Sequence, residues 1–186
     1  MFHALNIAFL ITFIGAHLAD RYGDAFSRPL SCFRDVEPAW IGYAMFLLMI
    51  GIAAEMVRAA RKCGDSRQAQ VYAVVAGSLT IVAFTPSLSA LHSLAVFATL
   101  LTLFGNCAWL LDQRDSPYLL TAHLSIPLAL VAINFVLPNG AWEKALDLYF
   151  MATVVAHHHA IHSSLRKPRS APSEVCSTPG DAARAG

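Results

Sequence analysis

The chain has 186 residues, of which 56% are hydrophobic and only 13% are charged. This composition is too apolar for an ordinary soluble domain, so it predicts an integral membrane protein. The formal net charge of +1 gives no strongly basic surface, which argues against nucleic acid as a partner. We expect the lipid bilayer to be the main partner, with another membrane protein or a second copy of the chain as open alternatives.

Six long apolar runs follow one another along the sequence. A helix needs about 20 apolar residues to cross the ~30 Å hydrocarbon core, and backbone groups in lipid must be hydrogen-bonded within the segment. Pro86 separates the third run from the fourth, because proline lacks an N–H and disfavours helix at the preceding residue. The pattern predicts an all-α polytopic membrane protein with six transmembrane helices in a single bundle: 2–19, 39–57, 69–86, 88–111, 118–137 and 142–162.

The ends of these runs predict domain organisation and orientation. Residues 1–162 form the transmembrane domain, and residues 163–186, rich in Ser, Pro, Ala and Arg, form a disordered cytoplasmic tail. With the N-terminus inside, nine Lys and Arg residues fall on inner segments and four on outer segments. This asymmetry favours a multi-pass protein of the cell inner membrane with both termini cytoplasmic. Three arginines in the first outer loop run against the trend.

Polar residues inside the helices are costly in lipid and therefore the best guide to function. Residues three, four, seven or eleven apart share one face of a helix. Four predicted helices each carry one such polar stripe, and we expect the stripes to face one another across the bundle interior. The stripes are Asn6 and His17; His92, Thr99 and Asn106; His123, Pro127 and Asn134; and Asp147, Met151, His158 and His162.

The inner end of the bundle is one candidate metal site. His158 and His162 lie four residues apart, so both imidazoles can reach one ion. Glu55 and His123 would complete a nitrogen and oxygen ligand set that suits zinc. The alternative is that these histidines lie in the headgroup region without a metal. The neighbouring His157 and His159 point away from the pair and are expected to be interfacial.

The outer end offers a second candidate metal site. His17, His92 and Asp147 come from three different helices, and two imidazoles with one carboxylate form the ligand set of a catalytic zinc or a non-haem iron. The alternative is that His92 bonds a neighbouring carbonyl while Asp147 bonds a nearby amide.

A third interpretation uses both layers to bind two b-type haems. His17 with His92, and His123 with His158 or His157, make two pairs at matched depths. Each haem iron would take one imidazole from each of two facing helices. In helix count and histidine layering this resembles the cytochrome b561 architecture, a six-helix transmembrane electron carrier. The pairs here lie on the first with the fourth and the fifth with the sixth helix, whereas that family uses its central four helices.

The functional expectation is therefore a small membrane protein with a histidine-lined interior that binds a metal or haem, for transmembrane electron transfer or for metal-dependent chemistry. A structural or interaction subunit, a small transporter without a metal and a zinc-dependent membrane hydrolase are the alternatives. The pattern identifies no catalytic residue and no substrate, and it leaves open whether the protein is an enzyme.

Overall fold

A computed structural model describes residues 1–18, 39–113, 117–133 and 139–166, and within these ranges the chain forms six α-helices and no strand. The prediction of an all-α fold is confirmed. Several side chains of the last two helices, including that of His162, lie outside the described part. The final helix continues through Arg166, beyond its predicted end at His162. The helices are α1 Phe2–Leu18, α2 Ala39–Lys62, α3 Ser66–Phe84, α4 Ala90–Asp112, α5 Pro117–Ile133 and α6 Asn139–Arg166.

Helix α2 is at the centre of the packing. It contacts α1, α3 and α6, while α4 contacts α3, α5 and α6. The main apolar core joins α1, α2, α3 and α6, and its largest fully buried side chains are Phe9, Met45, Met56 and Tyr72. Three of these are apolar, and the fourth brings a phenol hydroxyl into the interior, where it needs a hydrogen-bond partner.

The α2–α3 connection is a tight turn that holds both helices at one end of the bundle. Gly64 has φ 75°, a left-handed conformation that glycine adopts without steric cost. The Gly64 N–H donates to the Arg61 carbonyl and the Asp65 N–H donates to the Ala60 carbonyl, the hydrogen-bond pattern of a Schellman motif. The Asp65 side chain then caps α3 by accepting from the Gln68 N–H at 2.9 Å.

The α3–α4 connection lies at the opposite end of these helices and is also short. Helix α3 ends before Thr85, which is extended with ψ 144°, the conformation that the following Pro86 requires. Ser89 caps α4 by accepting from the backbone N–H of His92 at 3.1 Å. The two turns therefore make α2, α3 and α4 an antiparallel set.

Two of the helices in the described part, α2 and α4, are long and apolar enough to cross a membrane, and α1 is a shorter apolar helix. Two such helices indicate membrane association only weakly, so the six crossings stay a prediction.

The polarity of α4 is inverted relative to a helix on the surface of a soluble protein. It buries the polar His92, Thr99 and Asn106, the stripe predicted on this helix, and it exposes an apolar face. Leu94, Phe97 and Leu101 are 65%, 63% and 58% exposed. Large apolar side chains are normally those that a soluble fold buries.

Candidate functional site

The residues predicted for the inner metal site are distributed over separate cavities. Glu55 and His158 line a cavity of about 210 Å³, whereas His123 lines one of about 290 Å³. Asp147, predicted for the outer site, lines a third cavity of about 40 Å³. Within the described part of the chain, no three His, Cys, Asp or Glu side chains form a group that could hold a metal ion. The described side chains therefore give no support to a metal site built from Glu55, His123 and His158. The His162 side chain lies outside the described residues, so its pairing with His158 stays a prediction.

The outer metal site is not assembled either. The Nδ1 atom of His17 lies 2.7 Å from the Phe13 carbonyl of its own helix, to which it donates. The His92 ring lies beside the α3–α4 turn, with its Nδ1 atom 3.4 Å from the Thr85 hydroxyl. No metal-holding group is found among the described side chains, so the predicted centre of His17, His92 and Asp147 has no support in the structure. His92 instead contacts the turn next to it in sequence.

The histidines predicted as haem ligands at the inner end of the bundle also contact other groups. Both ring nitrogens of His123 already form hydrogen bonds, with the Tyr149 hydroxyl and the Phe104 carbonyl. The His158 ring is stacked on Phe2, with ring centroids 3.7 Å apart and planes within 6° of parallel. An axial bond from His123 to iron would require one of its hydrogen bonds to break. The His123 and His158 rings line different cavities, and the haem interpretation stays a prediction.

A cavity of about 290 Å³ between α4, α5 and α6 is lined by several polar side chains, and we call it the α4–α5–α6 cavity. Its other lining residues are leucine, isoleucine and alanine side chains. Leu119 and Ile126, both on its wall, are 60% and 36% exposed, so the cavity reaches the outer surface of the bundle. The polar lining consists of Cys107 from α4, His123 from α5, and Tyr149, Thr153 and His157 from α6.

The hydrogen bonds of His123 assign its proton. A carbonyl oxygen only accepts, so the contact of 3.2 Å between His123 Nε2 and the Phe104 carbonyl places a proton on Nε2. In the neutral ring Nδ1 is then the acceptor, and the Tyr149 hydroxyl donates to it. The Phe104 ring also stacks against the imidazole, with centroids 4.7 Å apart. Three groups therefore fix the orientation of a ring that is 2% exposed.

A second histidine and tyrosine pair forms part of the same wall. The Tyr72 hydroxyl, on a side chain only 1% exposed, lies 2.9 Å from Nδ1 of His157. His157 also lines the α4–α5–α6 cavity. His157, predicted to be interfacial and to point away from His158 and His162, thus contacts a buried residue of α3 and lines this cavity. Tyr72 provides the hydrogen-bond partner that positions this imidazole at the cavity wall.

A helical-spacing test on the adjacent face of α6 would have found this site. Tyr149, Thr153 and His157 follow one another at intervals of four residues, so they share one face. That stripe lies one residue away from the predicted stripe that contains His158, and α6 therefore has polar residues on two faces. One faces the α4–α5–α6 cavity and the other faces α1 and α2.

Comparisons of the chain with protein families, with curated proteins and with solved structures give no match.

Proposed function

We propose that this chain is a multi-pass membrane protein that binds a small lipophilic molecule in the α4–α5–α6 cavity, by hydrogen bonds to a carbonyl or similar polar group at one end of that molecule. A quinone is the ligand class that fits this description best. The observation that carries the proposal is a largely apolar cavity lined by His123 and His157, each positioned by a hydrogen bond with a tyrosine.

The chemistry of the lining supports a ligand with one polar end. Small-molecule sites are mostly apolar with a few well-placed polar groups, and the cavity follows that pattern. Its volume of about 290 Å³ is close to the lower end of the ~300–1,000 Å³ typical of such sites. A cavity of this volume favours a ligand whose polar end is a single small ring over a macrocycle such as haem.

The position of the cavity supports entry from lipid. Ala122 and Ala156 line it and are exposed, as is Leu119. In a bilayer that exposed surface would face hydrocarbon, because the exposed large side chains of α5 beside it, Leu119, Leu124 and Ile126, are apolar. A lipophilic molecule dissolved in the membrane would thus reach the polar groups without crossing water.

The experiment is a binding measurement with decylubiquinone, a short-chain quinone, on the purified full chain in lipid nanodiscs. Ala122→Leu would fill the mouth of the cavity from an exposed position and should abolish saturable binding. Ala73→Leu, at an exposed position on α3 that does not line the cavity, is the matched control and should bind as the parent does. Binding that survives Ala122→Leu unchanged would overturn the proposal.

A second pair of variants tests the polar groups. His157→Leu should weaken binding by about tenfold, the typical effect of losing one good hydrogen bond. Tyr43→Phe removes a hydroxyl from an exposed tyrosine of α2 outside the cavity and should have no effect. Equal binding by both variants would mean that partition into apolar space, and not hydrogen bonding, explains any uptake of the quinone.

A further inference from the structure

A second cavity, formed where the N-terminal end of α1 meets the C-terminal end of α2, has a different character. It has a volume of about 210 Å³, and we call it the basic cavity. Its polar lining consists of His3, Glu55, Arg58, Lys62 and His158. It is separate from the α4–α5–α6 cavity, with which it shares no lining residue.

The charges of the basic cavity favour an anion. Glu55 is the one acidic side chain of the lining, and Arg58 bonds its carboxylate at 2.5 Å. This ion pair compensates the negative charge of Glu55, which is only 8% exposed. A guanidinium carries five N–H donors, so Arg58 retains donors for a further partner. Lys62 then adds a cation that leaves the lining with a net positive charge.

The imidazoles of the lining are held in place by ring contacts. Phe2 stacks on His158 with centroids 3.7 Å apart, and His3 meets the same imidazole edge-on at 5.5 Å. The backbone near them is helical from Phe2 onward. Two oriented nitrogen heterocycles and two flexible cations therefore surround one small volume, which suits a tetrahedral anion with several acceptor oxygens.

The location of the cavity narrows the choice of anion. The last two turns of α2 carry Arg58, Arg61 and Lys62. The distribution of charge along the chain predicts that this cluster lies at the cytoplasmic face. Clustered basic residues at that level attract anionic lipid headgroups. The cavity volume admits a phosphate group with its immediate substituent but not a whole lipid.

We propose that the basic cavity is a phosphate-binding site, occupied by the phosphodiester of an anionic lipid headgroup or by a free phosphate group. Arg58 and Lys62 supply charge-assisted hydrogen bonds, and His3 and His158 supply imidazole nitrogens at the cavity wall. The site shares no lining residue with the α4–α5–α6 cavity, so the proposal does not rest on ligand binding there.

The test compares Lys62, which lines the basic cavity, with its sequence neighbour Arg61, which does not. Full-length protein in detergent is titrated with phosphatidylglycerol, and bound lipid is measured by native mass spectrometry, with phosphatidylcholine as the neutral reference. Lys62→Gln should weaken phosphatidylglycerol binding by about tenfold, because one charge-assisted hydrogen bond is lost. Arg61→Gln removes the same charge from a residue that does not line the cavity and should change binding less than about twofold.

Two further arms complete the design. His3→Gln leaves the Arg58 and Glu55 pair and the Lys62 charge in place and should also weaken binding, whereas His159→Gln, outside the cavity lining, should not. Displacement of the lipid by millimolar inorganic phosphate would identify a small soluble phosphate as the occupant, and resistance to it would identify the lipid headgroup. Equal losses in Lys62→Gln and Arg61→Gln, or no preference for phosphatidylglycerol over phosphatidylcholine together with no phosphate binding, would overturn the proposal.

Discussion

Gln68 of α3 and Asn106 of α4 form a reciprocal pair of amide hydrogen bonds, each side chain donating to the other at 2.9 Å. Both side chains are nearly inaccessible, at 2% and 5% exposure. A closed amide pair satisfies one donor and one acceptor on each partner without involving the backbone. In an apolar interior this makes it a specific connection between two helices, because any sliding of one helix along the other breaks both bonds.

The first prediction concerns this amide pair. Gln68→Leu or Asn106→Leu alone should lower the free energy of unfolding by about 1–2 kcal/mol, since each leaves the other amide buried without its partner. The double variant should lose less than the sum of the single variants. Unfolding in mixed detergent micelles, followed by circular dichroism, measures all four proteins of the cycle. Strict additivity would show that the two amides do not stabilise each other.

The second prediction concerns the tautomer of His123, that is, which ring nitrogen of the neutral imidazole carries the proton. The Phe104 carbonyl requires a proton on Nε2, so the neutral ring should carry none on Nδ1. Nitrogen-15 chemical shifts of histidine-labelled protein report this directly, with His123→Gln used to assign the signal. In Tyr149→Phe the Nδ1 shift should move, because its hydrogen-bond donor is removed, while Nε2 should change little. A proton found on Nδ1 of the neutral ring would contradict the assignment.

The third prediction concerns Cys63 in the α2–α3 turn. Burial raises the pKa of its thiol, and the negative charge of Asp65 raises that pKa further. A raised pKa leaves less thiolate near neutral pH, so Cys63 should be alkylated more slowly than free cysteine. Asp65→Asn removes the smaller cause and preserves a side chain that caps a helix. The rate at Cys63 should then rise but stay below that of free cysteine.

Labelling of Cys63 is followed by peptide mass spectrometry with iodoacetamide across a pH series, so that the other cysteines do not contribute. An alkylation rate for Cys63 equal to that of free cysteine, or a lower rate in Asp65→Asn, would contradict the expected pKa shift. The Cys63→Ser variant identifies the labelled peptide.

The fourth prediction concerns membrane topology. If α2, α3 and α4 each cross the bilayer, the α2–α3 and α3–α4 turns lie on opposite sides. Reporter domains fused after Gly64 and after Leu88 should therefore report the cytoplasm and the exterior respectively, because the basic residues cluster around the first turn. The same location for both fusions would remove α3 from the crossing helices and with it the six-helix topology.

The number, type and approximate limits of the helices were determined by the sequence alone. Apolar runs of bilayer length, interrupted by residues such as Pro86, leave few alternatives to helix, because the length of each run and the local effect of proline do not depend on distant contacts. The same holds for the polar stripe of His92, Thr99 and Asn106, whose alignment follows from helical period and which the structure buries.

Which polar residues meet was decided only by the tertiary structure. Helical spacing puts His157 and His158 on different faces of α6 but does not say which neighbouring helix each face contacts. Packing directs His158 toward Phe2 of α1 and His157 toward Tyr72 of α3. Rotation of a helix about its axis and the choice of its neighbours depend on contacts between residues far apart in the sequence. Those contacts separate the predicted metal ligands into different cavities and bring His157 to the same cavity as His123.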